Sequence, residues 1–342
     1  MDTLRTPQEQ DYTPALSASE VAQYVVGAAV WAPSVHNTQP WWFGVRGREI
    51  SLHADNRRQL KVADSCGREM LMSCGAALFT TRLALRGLGL VAESRVLPDP
   101  ADPLLVARIR WRRQAATTEY EQLLLNQVTR RRTHRGGFES VPLAPGLLDA
   151  LRQAAAGDGA ALRVASDDAS RAALAAAVES AELVQREDSA YARELADWAP
   201  PPGSMRPDGV SPSAYPARPE RTSPHFPGRD YAHGHGWGLP ASGPAAPARY
   251  AGVVCVLTTK ADQPADWVRA GHALQRMLLM AASAGAAAAL YSQPIEVDWV
   301  RDTVREQVGD GSYPQLVLRL GSVIQNAVSV RRPVPSVLLF DA

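Results

Sequence analysis

Residues 32–41 read Ala32-Pro33-Ser34-Val35-His36-Asn37-Thr38-Gln39-Pro40-Trp41 and join a helix to a strand. Upstream, Ser17 and Glu20 have the spacing of a capping box, and Val21, Tyr24, Val25 and Ala28 follow at helical intervals. Pro33 ends this helix, because proline lacks an N–H and restricts the residue before it. Downstream, Trp41-Trp42-Phe43-Gly44-Val45 predicts a strand. Between the two prolines, Ser34, His36, Asn37, Thr38 and Gln39 all carry hydrogen-bonding side chains. Polar groups gathered between two packed elements suit reading the donors and acceptors of a flat ligand. An ordinary solvated turn has the same composition.

The chain around this loop has 342 residues, enough for one large core or two ordinary domains. Apolar residues make up 46% and charged residues 21%, a globular balance. A net charge of +1 supplies no bulk field for nucleic acid or an anionic membrane, so neither is expected as a partner. Met1 to Thr13 is polar, without the apolar centre of a signal peptide. The apolar run from Met277 to Leu290 is too short to cross a bilayer. Three cysteines, Cys66, Cys74 and Cys255, cannot all pair. A cytoplasmic protein with reduced thiols is expected.

Helical spacing marks Gly67 to Leu88, Leu147 to Ala155, a long Ala-rich stretch from Asp167 to Trp198, and Ala265 to Ala284. Alternation marks strands at Leu105 to Trp111 and Leu316 to Leu320, and apolar runs mark Leu162 to Ala165 and Tyr250 to Thr259. Gly75-Ala76-Ala77-Leu78 and Gly271-His272-Ala273-Leu274 occupy similar places in two long helices, a faint internal repeat. Residues 199–249 interrupt the pattern: 12 of these 51 positions are Pro and 7 are Gly. Such a segment is too rich in both to form regular structure, and is a lid or a long loop. Tyr215, Phe226, Tyr231 and Trp237 give it side chains to bury.

Arg130-Arg131-Arg132-Thr133-His134-Arg135 places guanidinium forks beside a hydroxyl, which suits phosphate oxygens, although a solvated charge run has the same letters. His233 and His235 lack a carboxylate or thiol neighbour, so no metal is expected. No Gly-rich dinucleotide fingerprint and no convincing hydrolytic triad stands out.

The 33–41 loop resembles the segment of flavin-dependent nitroreductases that reads Pro-Ser-x-x-Asn-x-Gln-Pro-Trp, and His36 and Thr38 make it most similar to the Acg-like actinobacterial subfamily. The resemblance runs from about Ser17 to Leu339. It implies an α+β, nitroreductase-like fold with two tandem halves of helices packed on mainly antiparallel sheets, mimicking a homodimer. Residues 14–120 would form the first half and 121–342 the second, with 199–249 inserted as a lid or loop. It implies noncovalent FMN, with Pro33, Ser34 and Asn37 at the isoalloxazine or ribityl part; Val35 replaces a second Ser. Arg131, Thr133 and Arg135 match the Arg-x-Ser-x-Lys/Arg signature that grips the FMN phosphate, and Arg331 and Arg332 match a basic pair after the last core strand. Pro294, Ile295 and Glu296 resemble the Pro-Ile-Glu-Gly segment passing flavin N5, with Val297 in place of Gly.

The implied chemistry is electron or hydride passage from NAD(P)H, through FMN, to a small nitro, quinone or activated-alkene acceptor. A flavin store without turnover, closed by the lid, is the rival reading, and a helical interaction protein that has lost its cofactor is a third. No catalytic side chain is assigned. A monomer acting as a pseudo-dimer, or a weak homodimer, is expected.

Overall fold

The computed structural model describes residues 16–113, 116–214, 220–229, 231, 247–323 and 329–340. In chain order the first part holds α1 (Ala18–Ala29), β1 (Trp41–Arg46), β2 (Glu49–Ala54), α2 (Arg68–Gly87), β3 (Leu90–Val96), β4 (Leu105–Arg113) and α3 (Glu119–Leu125). Next come α4 (Leu147–Gly157), β5 (Ala160–Val164), α5 (Asp168–Glu187), α6 (Ser189–Asp197), β6 (Thr222–Ser223) and β7 (Arg249–Tyr250). The chain closes with β8 (Val253–Thr259), α7 (Pro264–Ser283), β9 (Ala286–Tyr291), α8 (Gln293–Glu296), α9 (Asp298–Val308), β10 (Tyr313–Ser322) and β11 (Leu338–Phe340).

Two sheets share one plan. The first runs β11-β1-β2-β4-β3 and the second β5-β8-β10-β9. Leaving β11 aside, each is an antiparallel four-strand sheet with a helix before its first strand and a long helix between its second and third. Strand β11 comes from the far end of the chain and lies parallel to β1, pairing Phe43 with Leu338. The chain end therefore completes the sheet of the other half. The fold is α+β, two related halves in the arrangement of a homodimer.

Helices α2 and α7 form the seam. A Cβ placed on Gly75 would meet Val268 O at 2.1 Å, and one on Gly271 would meet Met72 O at 1.8 Å. Each glycine thus faces the residue three positions before the other, and the two backbones touch. The first core packs Trp41, Phe43, Ile50, Leu52, Leu78 and Ile109 between the first sheet and α1 and α2. The second packs Leu151, Leu257, Leu274 and Leu318 against α4 and α7, and a third packs Val178, Val300, Val304 and Val317 on the opposite face of the same sheet. With both faces covered, β8 and β10 are buried nearly throughout, whereas exposed arginines alternate with buried residues along β4 from Arg108.

The Ser17–Glu20 capping box forms in both directions. Helix α1 ends at Ala29, a short turn before Pro33. The expected helix from Asp167 to Trp198 divides at Asp188, whose backbone is extended and whose carboxylate caps α6. The Ala-rich run to Leu290 is helical only to Ser283. Gly285, at φ +74°, turns the chain, and Ala286–Tyr291 is a buried strand. The excursion between β5 and β8 begins well before residue 199, because α5 and α6 belong to it. Phe226 and Tyr231 are buried; Tyr215, Trp237, His233 and His235 lie outside the described residues.

Candidate active site

The loop between α1 and β1 is held in a conformation its residues do not prefer. His36, Asn37 and Gln39 have φ of +49°, +54° and +48°, each costing on the order of 1–3 kcal/mol unless its surroundings fix it. They are fixed from three sides. Ser34 Oγ accepts from Gln39 N–H at 2.9 Å. Gln39 Nε2 donates to Pro207 O at 2.9 Å, and Asn37 Nδ2 to Gly209 O at 3.1 Å, both in the 199–249 segment. From the chain end, Arg332 N–H donates to Gln39 Oε1 at 2.8 Å and Arg331 Nη1 to Asn37 Oδ1 at 3.2 Å.

The arginine-rich segment is placed by the second sheet. Thr133 bridges Ala288 of β9, and His134 N–H donates to Ala288 O at 2.8 Å. Behind it, the buried Arg319 on β10 donates to Gly136 O at 3.1 Å and Ala251 O at 2.7 Å.

Where loop and segment meet, two cavities adjoin and share Pro33, Ser34, Thr133 and Arg135 as walls. The first has an apolar floor of Met72, Ala76, Leu274, Leu290 and Leu316. Its polar end holds His36, Glu69, Arg229, Tyr231, Ser292 and Gln293. The second is cationic, with Asn37, Arg131, Arg206 and Arg331 on its walls. Its one acid among the described residues, Asp208, is spent on Arg58 and Arg206. The 199–249 segment roofs both: Gly228, Arg229 and Tyr231 over the first, Pro200 to Ala214 over the second.

Burial, reinforced by Arg331, Arg132 and Arg135, pushes the Arg131 guanidinium down to about 9. Burial and Arg132 and Arg135 push Arg331 down to about 10. Among the described residues no carboxylate pairs with either one, and the Nε of each is buried without a hydrogen-bond partner. Among the described residues the Arg131 guanidinium donates to Trp31 O, at 3.1 Å, and to Thr133 Oγ1, at 3.4 Å. Such a cluster fits an anion, and the adjoining cavity, with Met72, Ala76, Leu274, Leu290 and Leu316 on one side, offers apolar surface to a ring system. Burial pushes His36 well below its ordinary range, and the nearby Arg229 and Arg135 charges add to this, so the ring is neutral. Its Nδ1 lies 2.7 Å from Tyr231 Oη.

The structure brings Pro33, Ser34, Asn37, Arg131, Thr133, Arg135 and Arg331 to these walls. Arg332 is turned away, donating to Gln39 O, Trp41 O and Ser336 O, so it fastens the chain end to the first half. Pro294, Ile295 and Glu296 form α8, one step behind the wall that Ser292 and Gln293 supply. Glu296 is committed to a buried ion pair with Arg229. Val297 has φ −108°, which needs no glycine. Glu69 and Arg229 are additions from the structure. Glu69 had a signal in sequence, an acid in register with Met72, Ser73 and Ala76 on a buried helix face.

At the position related to this cavity by the seam's pseudosymmetry the surroundings differ. The connection from α1 to β1 spans residues 30–40, but that from α4 to β5 only 158–159. His272 follows Gly271 as the cavity-lining Ala76 follows Gly75. Its Nδ1 lies 3.2 Å from Asp158 Oδ1 and its ring packs edge-on against Phe79.

The chain is 34% identical over 314 residues to Rv3131 of Mycobacterium tuberculosis (strain H37Rv), named as a candidate NAD(P)H nitroreductase; the match covers 90% of this chain and 87% of that one. The acg protein of the same organism, named likewise, is 31% identical over 306 residues, 89% of each chain. The chain belongs to the nitroreductase family, on its Acg-like side. No protein-family model matches it. Among solved structures, a candidate nitroreductase from Anabaena variabilis aligns with a TM-score of 0.45 at 13% identity, over 89% of this chain and 74% of that one. An FMN-bound nitroreductase from Bacteroides fragilis aligns with a TM-score of 0.35 at 12% identity, over 61% of this chain and 92% of that one. For this nitroreductase-family chain the described residues contain no helix long and apolar enough to cross a membrane and no cluster of three metal-ligating side chains.

Proposed function

We propose that this protein binds one FMN noncovalently per chain and passes electrons or hydride from NAD(P)H to a small nitro, quinone or activated-alkene acceptor. The carrying observation is the pair of adjoining cavities, one with apolar residues Met72, Ala76, Leu274, Leu290 and Leu316 on its wall, the other lined by Arg131 and Arg331, with which no described carboxylate pairs. Arg131, Thr133, Arg135 and Arg331 would hold the phosphate, and Met72, Ala76 and Leu274 would floor the ring. Bound flavin supplies the redox chemistry. The protein binds and orients it, keeps water off the ring, and places positive charge where reduction adds negative charge. On this reading residues 14–120 and 121–342 are halves descended from an internal duplication, and the protein is cytoplasmic and either a monomer acting as a pseudo-dimer or a weak homodimer.

One site per chain is supported by the differences at the pseudosymmetric position, where the connection is two residues long and His272 packs against Asp158 and Phe79. Flavin released by heat and measured against protein should give one FMN per chain. Two per chain, or FAD, would contradict the single pocket.

A second reading, an FMN store with little turnover, is favoured by the roof over both cavities. Arg229 ties the roof to Glu296 and Ser292, and Asp208 pairs with Arg58. Replacing residues 199–249 by a short Gly/Ser linker should speed iodide quenching of bound flavin and NAD(P)H-dependent quinone reduction severalfold. If both rates stay unchanged with FMN bound, the segment does not gate the flavin. Fast quinone reduction by the unaltered protein would exclude the store.

A further inference from the structure

Glu69 is a buried acid on the cavity wall that flavin binding leaves unused. It stands in the first turn of α2 and faces the first cavity alongside Met72, Ser73 and Ala76. Only 4% of the residue is exposed, and neither carboxyl oxygen receives a hydrogen from any described donor. The neighbouring charge that raises it most is that of another carboxyl group, Glu296. Glu296 is already an anion held in place: it pairs with Arg229 and accepts from Gln185 Nε2 at 2.6 Å.

Two carboxyl groups therefore meet around one guanidinium, and they cannot both be ionised without an uncompensated buried charge. The second arginine at hand does not supply compensation. Arg68 donates to Ile295 O at 3.0 Å and faces Asp262. Asp64, just before α2, adds a third carboxyl and is itself pushed up to about 6 by burial. The proton belongs on Glu69. Burial and the Glu296 and Asp64 charges all raise it, whereas Arg229 holds Glu296 low. Across the cavity stand Arg135, Tyr231 and the neutral His36, and Glu182 on α5 accepts from Gln293 Nε2 at 3.4 Å. None of these is a better acid. His36 is neutral, and burial pushes the Tyr231 phenol up, away from working pH.

We propose that Glu69 is the proton donor for the acceptor: it waits as a neutral carboxylic acid hydrogen-bonded to Glu296 and releases its proton to the acceptor as hydride arrives. The proposal rests on the FMN reading above. With a quinone as acceptor, bound FMN in its reduced form would supply the hydride, two electrons and one hydrogen. The Glu69 O–H bond breaks, its proton goes to the quinone oxygen, and hydroquinone leaves. Glu69 is then a carboxylate beside Glu296, and repulsion between the two draws a proton back from solvent.

Glu69→Gln tests this, since an amide keeps the shape and neutrality of the acid but has no proton to give. FMN affinity should hold within about twofold and thermal stability should not fall. Reduction of ferricyanide, which takes electrons without a proton, is the control. Quinone reduction in the acceptor half-reaction should slow by about a hundredfold or more and lose its dependence on pH. Apart from turnover, the infrared carboxylic-acid C=O band of the flavin-free protein at neutral pH should be weaker in Glu69→Gln. A wild-type quinone rate with an unchanged pH profile would overturn the proposal, as would an unchanged acid band. If the unaltered protein binds no FMN, the cofactor reading falls and the donor role with it. A failed half-reaction test with FMN bound removes Glu69 alone.

Discussion

Arg131→Ala is expected to lower FMN affinity by about tenfold to over a hundredfold while the flavin-free protein folds as before. Removing a charge-assisted hydrogen bond to phosphate from a buried site costs on the order of 1.5–3 kcal/mol, and each 1.4 kcal/mol is a factor of ten. The unusual part is the sign of the effect without ligand. Arg131 is 4% exposed, next to Arg331, and no described carboxylate pairs with it. A guanidinium held down to about 9 by burial and like charge opposes folding at pH 7, where the unfolded chain carries the same proton at no such cost. Removing it therefore relieves repulsion. Trp31 O keeps Arg331 Nη2 at 3.4 Å, so no carbonyl is orphaned. Titration of flavin-free protein by fluorescence quenching reads the first effect and thermal denaturation the second. Arg131→Lys should fall between, retaining the charge but losing the fork. Unchanged affinity would return the arginine run to a mere basic surface, and a large loss of ligand-free stability would make Arg131 a structural residue.

The sequence carries this site unevenly, for physical reasons. Ser34, Asn37, Arg131 and Thr133 lie in short segments whose letters are dense in donors, and such segments can be read locally. Arg331 and Arg332 are adjacent yet face opposite ways, one to the cationic cavity and one to backbone carbonyls of the first half. Only the register of the returning chain end decides this, and β11 sets that register by pairing with a strand nearly 300 residues away. Pro294, Ile295 and Glu296 lie in the expected neighbourhood, but a one-turn helix puts Ser292 and Gln293 at the wall instead. Glu69 and Arg229 meet through Glu296, an encounter among three distant segments that leaves no local pattern.

The fold is legible where periodicity is strong. The long helices α2, α4 and α7 and the alternating strand β4 lie within a few residues of their expected limits. Ala286–Tyr291 is not marked as a strand in sequence, because its alanines favour helix, and burial on both faces of the sheet overrides that preference. Strands β2 and β3 give little signal: β2 carries polar Ser51 and His53 on its outer face, and β3 is an edge strand with little buried surface.

The faint repeat at Gly75 and Gly271 marks the seam of the fold, and Gly271→Ala should destabilise the protein by about 3 kcal/mol or more. Alanine is the better helix former by up to about 1 kcal/mol, so a surface site would gain from the change. Here the added Cβ would lie 1.8 Å from Met72 O, 2.6 Å from Met72 C and 2.8 Å from Met72 Cα. These are backbone atoms within a helix and cannot swing aside. Helices α2 and α7 would have to part by about an ångström, loosening two close-packed cores. The cavity would widen with them, since Met72 and Ala76 are on one helix and Leu274 on the other. Stability and FMN affinity should therefore fall together. Gly27→Ala is the matched control: it sits within α1, its Cβ would meet, among the described residues, Val334 Cγ2 alone, at 3.7 Å, and it should be neutral or stabilising. Denaturant melts of the two variants decide the matter. A Gly271→Ala protein as stable as its parent would show that the halves do not meet backbone to backbone, and the dimer-like seam would have to be redrawn.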